Sequence, residues 1–169
     1  VIPRGMGGTS GPGTVVLRSF LAQAAPLMAG VGLGIARDAI DSFSVALADI
    51  TGKVNLDGKP LRGSTVLLLG VTYKPDIADT RESPAIPLAK SLLQQGAVVQ
   101  FHDPLVKQFT VNNIDLPRVD DVDHSLAAAD IGVLLQNHHD YDVDAMTAVS
   151  RRFFDTRGVA RPAHHVELL

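Results

Sequence analysis

"TVLLLGVTYKPDIADTRESPAIPLAKSLLQQGAVVQFHDP", residues 65–104, decides the fold. Its first piece, "TVLLLG" (65–70), is a continuous apolar run, the pattern of a strand buried on both faces of a parallel sheet. "ESPAIPLAKSLLQQGA" predicts a helix with Ser83 as N-cap, Pro84 at the first helical position and Gly96 as the stop. "VVQFHDP" (98–104) predicts a second strand, ended by Asp103 and Pro104. Strand, helix, strand in that order is a β-α-β unit, and such units build parallel sheets.

Downstream the alternation continues. "DHSLAAAD" (123–130) reads as a short helix and "IGVLLQ" (131–136) as a third long strand. "DVDAMTAVS" (142–150) reads as another helix, and "RFFDTRG" (152–158) as a final strand running into Arg157. The expected fold is an α/β, Rossmann-like three-layer domain with a mostly parallel sheet over residues 64–169. Upstream, Ile35, Ala39, Phe43, Ala46, Leu47 and Ile50 recur at three- and four-residue spacing, one stripe of a helix. "TGKVNLDGKPLRG" (51–63) gathers turn residues among charges and is read as a linker. Residues 1–50 begin Gly-rich and then turn helical, so an N-terminal helical segment precedes the sheet. The first five residues, "VIPRG", are readable as native sequence or as a tag.

Composition limits what such a chain does. It has 169 residues, 46% of them hydrophobic and 20% charged, enough to bury a core. Fifteen Lys and Arg against eighteen Asp and Glu give a net charge of −3, which argues against a nucleic-acid partner. The absence of cysteine removes disulfides, thiolate metal sites and a thiol nucleophile. The apolar stretch at 15–36 is broken by Arg18, Pro26 and several glycines, so no membrane partner is expected and a cytoplasmic setting is the default.

In open α/β folds, ligands bind in the crevice at the carboxyl ends of the strands, where a following helix also presents unpaired N–H groups. "VTYKPDIADTRE" (71–82) falls there, with Lys74 and Arg81 above the crevice. The G-x-G-x-x-G of a dinucleotide-binding turn is absent, since Gly70 stands alone. On its residues alone, this loop reads first as a solvated cluster of ion pairs and only second as a ligand contact.

The order of elements carries a resemblance. The glycine ending the first strand, "YK", "DTRESP", "GA" before the second strand and "DP" after it resemble the C-terminal nucleotide-sugar-binding domain of the UDP-glucose/GDP-mannose dehydrogenase family. "AAADIGVLLQNHHDYD" and "FFDTRG" continue the likeness, which covers roughly residues 60–160. The resemblance implies an NAD-dependent, four-electron oxidation of a sugar C6 hydroxyl to a carboxylate, using a cysteine that this chain lacks. It implies that Lys74, the backbone beside Tyr73, and Arg157 meet the nucleotide-sugar. Arg81 is expected to approach NAD, a cofactor bound mainly by another domain. Asp79 is expected to orient Lys74 or Arg81, and Asp155 to fix Arg157 or to cap the strand end.

"ARDAIDSFSVAL" (36–47) resembles the family's connecting and dimerising helix, which implies that residues 1–50 are a remnant of the central domain and that the chain forms a homodimer. "GMGGTSGP" (5–12) is similar to the family's catalytic loop, with Ser10 at the place of the cysteine and no base apparent beside it. No metal site is expected. His138 and His139, and the pair at 164 and 165, are read as solvated loop histidines. Two readings remain: the C-terminal nucleotide-sugar-binding part of a 6-dehydrogenase, not catalytic alone, or a stand-alone nucleotide-sugar-binding, regulatory or scaffolding module.

Overall fold

A computed structural model describes Ile50 and residues 58–169. Residues 51–57 of the linker, the Gly-rich start with Ser10 and the stripe upstream of Ile50 lie outside those residues, and so does the homodimer expected through them. Ile50 itself is helical and fully buried in the core described below.

The main sheet has five strands: β1 (Thr65–Leu69), β2 (Val98–His102), β5 (Ile131–Leu134), β6 (Phe153–Asp155) and β7 (Val166–Leu168). Their order is β2-β1-β5-β6-β7 and every pairing is parallel. A short antiparallel hairpin, β3 (Thr110–Val111) and β4 (Ile114–Asp115), stands apart. Its two turn residues, Asn112 and Asn113, both have positive φ, as a tight hairpin requires. Three helices complete the domain: α1 (Ala85–Gln94), α2 (Val122–Ala128) and α3 (Val143–Val149).

The apolar run of β1 is buried on both faces because the sheet is covered on both. Val66 and Leu68 point into one core with Leu88 and Leu92 of α1, Phe101, Phe109 and Phe154. Leu67 and Leu69 point into the other with Leu126 of α2, Met146 of α3, Tyr141 and Phe153. That alternation, period two along a strand, makes three layers from one sequence of leucines. Gly132 in β5 brings α2 close, since an added Cβ would stand 2.5 Å from a Leu126 methyl.

The helix predicted after the first loop forms as its caps dictate. Ser83 Oγ accepts the Ala85 N–H at 3.1 Å, and Pro84 already has helical dihedrals. At the other end Gly96, at φ +82°, reverses the chain: its N–H reaches Leu93 O and the Ala97 N–H reaches Leu92 O, a Schellman ending.

Two elements differ from expectation. The strand at 153–155 is not the last, because β7 pairs beside it. The stretch between Asp103 and Asp121, where no strand was expected, contains the hairpin. Both are short, and two- or three-residue strands carry no periodicity to read. Among the described residues no helix is long and apolar enough to cross a membrane.

Candidate functional site

The chain leaves β1 toward β2 on one side, whereas β5 lies on the other, so the crevice opens between the loops following β1 and β5. Gly70 and Gln136 cross there. Gly70 has φ +73°, and a Cβ on it would stand 2.5 Å from Gln136 O. Only glycine satisfies both the left-handed backbone and the approach.

Asp103, wholly buried at the end of β2, organises the floor. Its carboxylate accepts from the N–H groups of Val71 at 2.8 Å, Leu105 at 2.9 Å and Val106 at 3.1 Å. His138 Nε2 lies 3.1 Å away. Ser83 Oγ donates to Thr72 O, tying the start of α1 to the same floor.

His138 corrects the sequence reading. It is not a solvated loop histidine but 1% exposed. Its Nε2 also lies 3.1 Å from Thr72 Oγ1, and its Nδ1 accepts the Asp76 N–H at 3.0 Å. Its neighbour His139 points into solvent while its N–H donates to Asp76 Oδ1 at 2.8 Å. Adjacent histidines therefore do point apart, and the one that turns inward fills a polar hole at the crossing. Gln136, likewise buried, donates from Nε2 to Tyr73 O at 2.9 Å, and its Oε1 has no partner among the described residues.

Above this floor lie the predicted ligand residues. Tyr73 is 47% exposed, and Lys74 Nζ sits 5.5 Å from the centre of the Tyr73 ring, a cation–π distance. Among the described residues neither Lys74 nor Arg157 has a carboxylate partner for its side chain. Arg81 is paired: its Nε and Nη2 grip both oxygens of Asp79 at 2.8–3.3 Å. The hydrogen bonds from Arg81 hold the Asp79 carboxyl down to about 2. Asp79 thus contacts Arg81 and not Lys74.

Arg157 is exposed on the loop after β6. Beneath it, buried Asp155 accepts the N–H groups of Arg157, Gly158, Val159 and Ala160 at 2.6–3.1 Å. Asp155 therefore caps the strand end and shapes the loop through its backbone, rather than gripping the Arg157 guanidinium. Beside this loop a recess of about 380 Å³ is lined by Asn137, Tyr141, Asp142, Val143, Asp144 and Val159. The Tyr141 phenol donates to His102 O, and burial pushes its ionisation upward, so it stays a neutral donor.

A second, larger recess, about 520 Å³, lies at the amino ends of the strands among Lys59, Asp130, Arg151, Arg152, His164 and His165. Several of its polar groups are already engaged: Lys59 pairs with Asp130 at 2.8 Å, and His165 Nε2 is bonded to Thr147 O near the end of α3. Its size alone does not make it the site. The carboxyl end is favoured by the loops gathered there and by Lys74 and Arg157, which have no carboxylate partner among the described residues.

Parallel strands, helices on both faces and a crevice at the switch point define a Rossmann-like α/β domain. Within that class the chain belongs to the UDP-glucose/GDP-mannose dehydrogenase family, whose UDP binding domain matches residues 67–162. It is similar to a UDP-N-acetyl-D-mannosamine dehydrogenase of Salmonella typhi, 29% identical over 72% of this chain and 29% of that protein. Among solved structures, it resembles a UDP-N-acetyl-mannosamine dehydrogenase from Staphylococcus aureus, 26% identical with TM-score 0.51, over 72% of this chain and 29% of that one. The fold is also that of an NDP-N-acetyl-D-galactosaminuronic acid dehydrogenase from Methanosarcina mazei, 22% identical with TM-score 0.60, over 90% of this chain and 36% of that one. The chain thus spans about a third of the length of these relatives.

The signal for Tyr73, Lys74, Arg81 and Arg157 lay in the order of motifs. His138, Asp103 and Gln136 carried a fainter one: polar residues directly after buried strands, at the end of the sheet where ligands bind.

Proposed function

We propose that this chain is the C-terminal nucleotide-sugar-binding part of a UDP-sugar or GDP-mannose 6-dehydrogenase. It contributes binding to an NAD-dependent oxidation of a sugar C6 hydroxyl to a carboxylate and is not catalytic alone. The observation that carries this reading is the pair Lys74 and Arg157, exposed at the carboxyl end of the sheet in the region matched by the UDP binding domain. Their strands, β1 and β6, are separated by one strand, so their loops stand roughly 10 Å apart at the usual spacing. A nucleoside diphosphate spans that distance. Lysine offers it a compact charge and arginine a two-pronged donor.

Tyr73 contributes through its backbone, held from below by Gln136. Among the described residues the contact assigned to NAD is Arg81, whose guanidinium stands at the surface. The turn after β1 carries no cluster of glycines to admit a pyrophosphate, so the dinucleotide is assigned chiefly to another domain. When bound, NAD accepts hydride. This chain's share is to hold the nucleotide end of the substrate. With no cysteine in the sequence, the family's covalent chemistry has no nucleophile here.

Calorimetric titration of the chain with UDP, a UDP-sugar and GDP-mannose tests the reading. Lys74→Ala and Arg157→Ala are each expected to weaken binding by about 1.5–3 kcal/mol, the range for a charge-assisted contact. Unchanged affinity in both variants removes the assignment.

A further inference from the structure

One imidazole, among several ties, joins the turn that presents Tyr73 and Lys74 to the floor beneath it. His138 Nδ1 accepts the Asp76 N–H at 3.0 Å, so the ring's proton sits on Nε2. That Nε2–H faces Asp103 Oδ2 and Thr72 Oγ1, both at 3.1 Å. The Thr72 hydroxyl spends its own proton on Lys74 O at 2.9 Å, which leaves its oxygen to accept from the ring. One neutral tautomer therefore satisfies the floor through Nε2 and the far end of the turn through Nδ1. Asp76 holds a left-handed φ of +59°, a conformation that aspartate tolerates better than most side-chain-bearing residues. It is held there from two sides, by His138 on its N–H and by the His139 N–H on its carboxylate.

We propose that His138 is a positioning residue for nucleotide binding: a latch that fixes the 72–76 turn, and with it Lys74, by accepting the Asp76 N–H. This rests on the nucleotide-sugar reading above for its consequence, but the latch itself is a property of the turn. The two ring nitrogens have separable tasks. Nε2 serves the buried Asp103 and hence stability. Nδ1 serves Asp76 and hence the presentation of Lys74.

Two substitutions separate those tasks. In His138→Asn, the side-chain oxygen takes the place of Nδ1 and accepts from Asp76, while Asp103 loses a donor. In His138→Gln, the amide nitrogen takes the place of Nε2 and serves Asp103, while the Asp76 N–H loses its acceptor. The latch predicts opposite orders for two measurements. His138→Asn melts at the lower temperature but keeps UDP affinity within about twofold. His138→Gln melts nearer to wild type but binds UDP about tenfold more weakly, the equivalent of one lost hydrogen bond. Hydrogen exchange at the Asp76 amide accelerates in His138→Gln and stays protected in His138→Asn.

If affinity instead follows the melting order, His138 is a packing residue and the latch is overturned. Unchanged Asp76 exchange in His138→Gln overturns it equally. A wild-type chain that binds no nucleotide removes the nucleotide-sugar reading, and the exchange rates then still decide the latch on their own.

Discussion

Asp79 and Arg81 sit two residues apart on an exposed turn, yet their side chains meet in a two-pronged contact. The Asp79 carboxyl, held down to about 2 by that contact, is depressed from its ordinary 3.8. A depressed acid contributes to stability above its unfolded value and loses the contribution as pH falls. The pair is therefore intact at neutral pH and comes apart between about pH 4 and pH 2. At that surface position it adds little to stability, and its effect is to fix the direction of the guanidinium. In Arg81→Ala, the Asp79 titration followed by NMR is expected to move up toward 3.8; a midpoint that stays near 2 assigns the depression to another cause. This contact was readable in the sequence, because an aspartate two residues before an arginine meets it locally. His138 was not, because its burial depends on β1 and β5 bringing their loops together across more than sixty residues of chain.

At the scale of elements, the crossing of the β1 and β5 loops depends on Gly70. Replacing it with alanine adds a strained left-handed residue, roughly 1–2 kcal/mol. It also drives a methyl into the Gln136 backbone, an overpacking cost of roughly 1–3 kcal/mol. Gly70→Ala is expected to destabilise the domain by about 2–5 kcal/mol in denaturant unfolding. A loss below about 1 kcal/mol would mean that the two loops separate freely. The major elements were legible: β1, α1, β2, β5 and α3 stand where apolar runs, caps and stops put them. The hairpin and β7 were not, since each gains its identity from a neighbour rather than from its own pattern. Thus Val166 pairs with Phe153 across thirteen residues, which no local periodicity encodes.

For the whole molecule, the stability of the domain and occupancy of the crevice are linked. A ligand that binds only the folded chain adds about 2.7 kcal/mol at a hundredfold excess over its Kd. For a domain of this size that is a rise in Tm of roughly 10 °C. UDP is expected to raise Tm by that order in the wild type and far less in a Lys74→Ala, Arg157→Ala double variant. Equal shifts in both would place the nucleotide elsewhere on the surface. The region matched to the UDP binding domain, 67–162, runs from β1 into the loop after β6 and contains both cations.

Four buried polar side chains, Asp103, His138, Gln136 and Asp155, fix the loops at one end of this sheet. The conformational freedom of those loops is surrendered when the domain folds, not when a ligand arrives. A nucleotide bound as proposed would therefore meet a surface whose entropy of ordering has already been lost, and little of its binding energy would be diverted to shaping the loops around it.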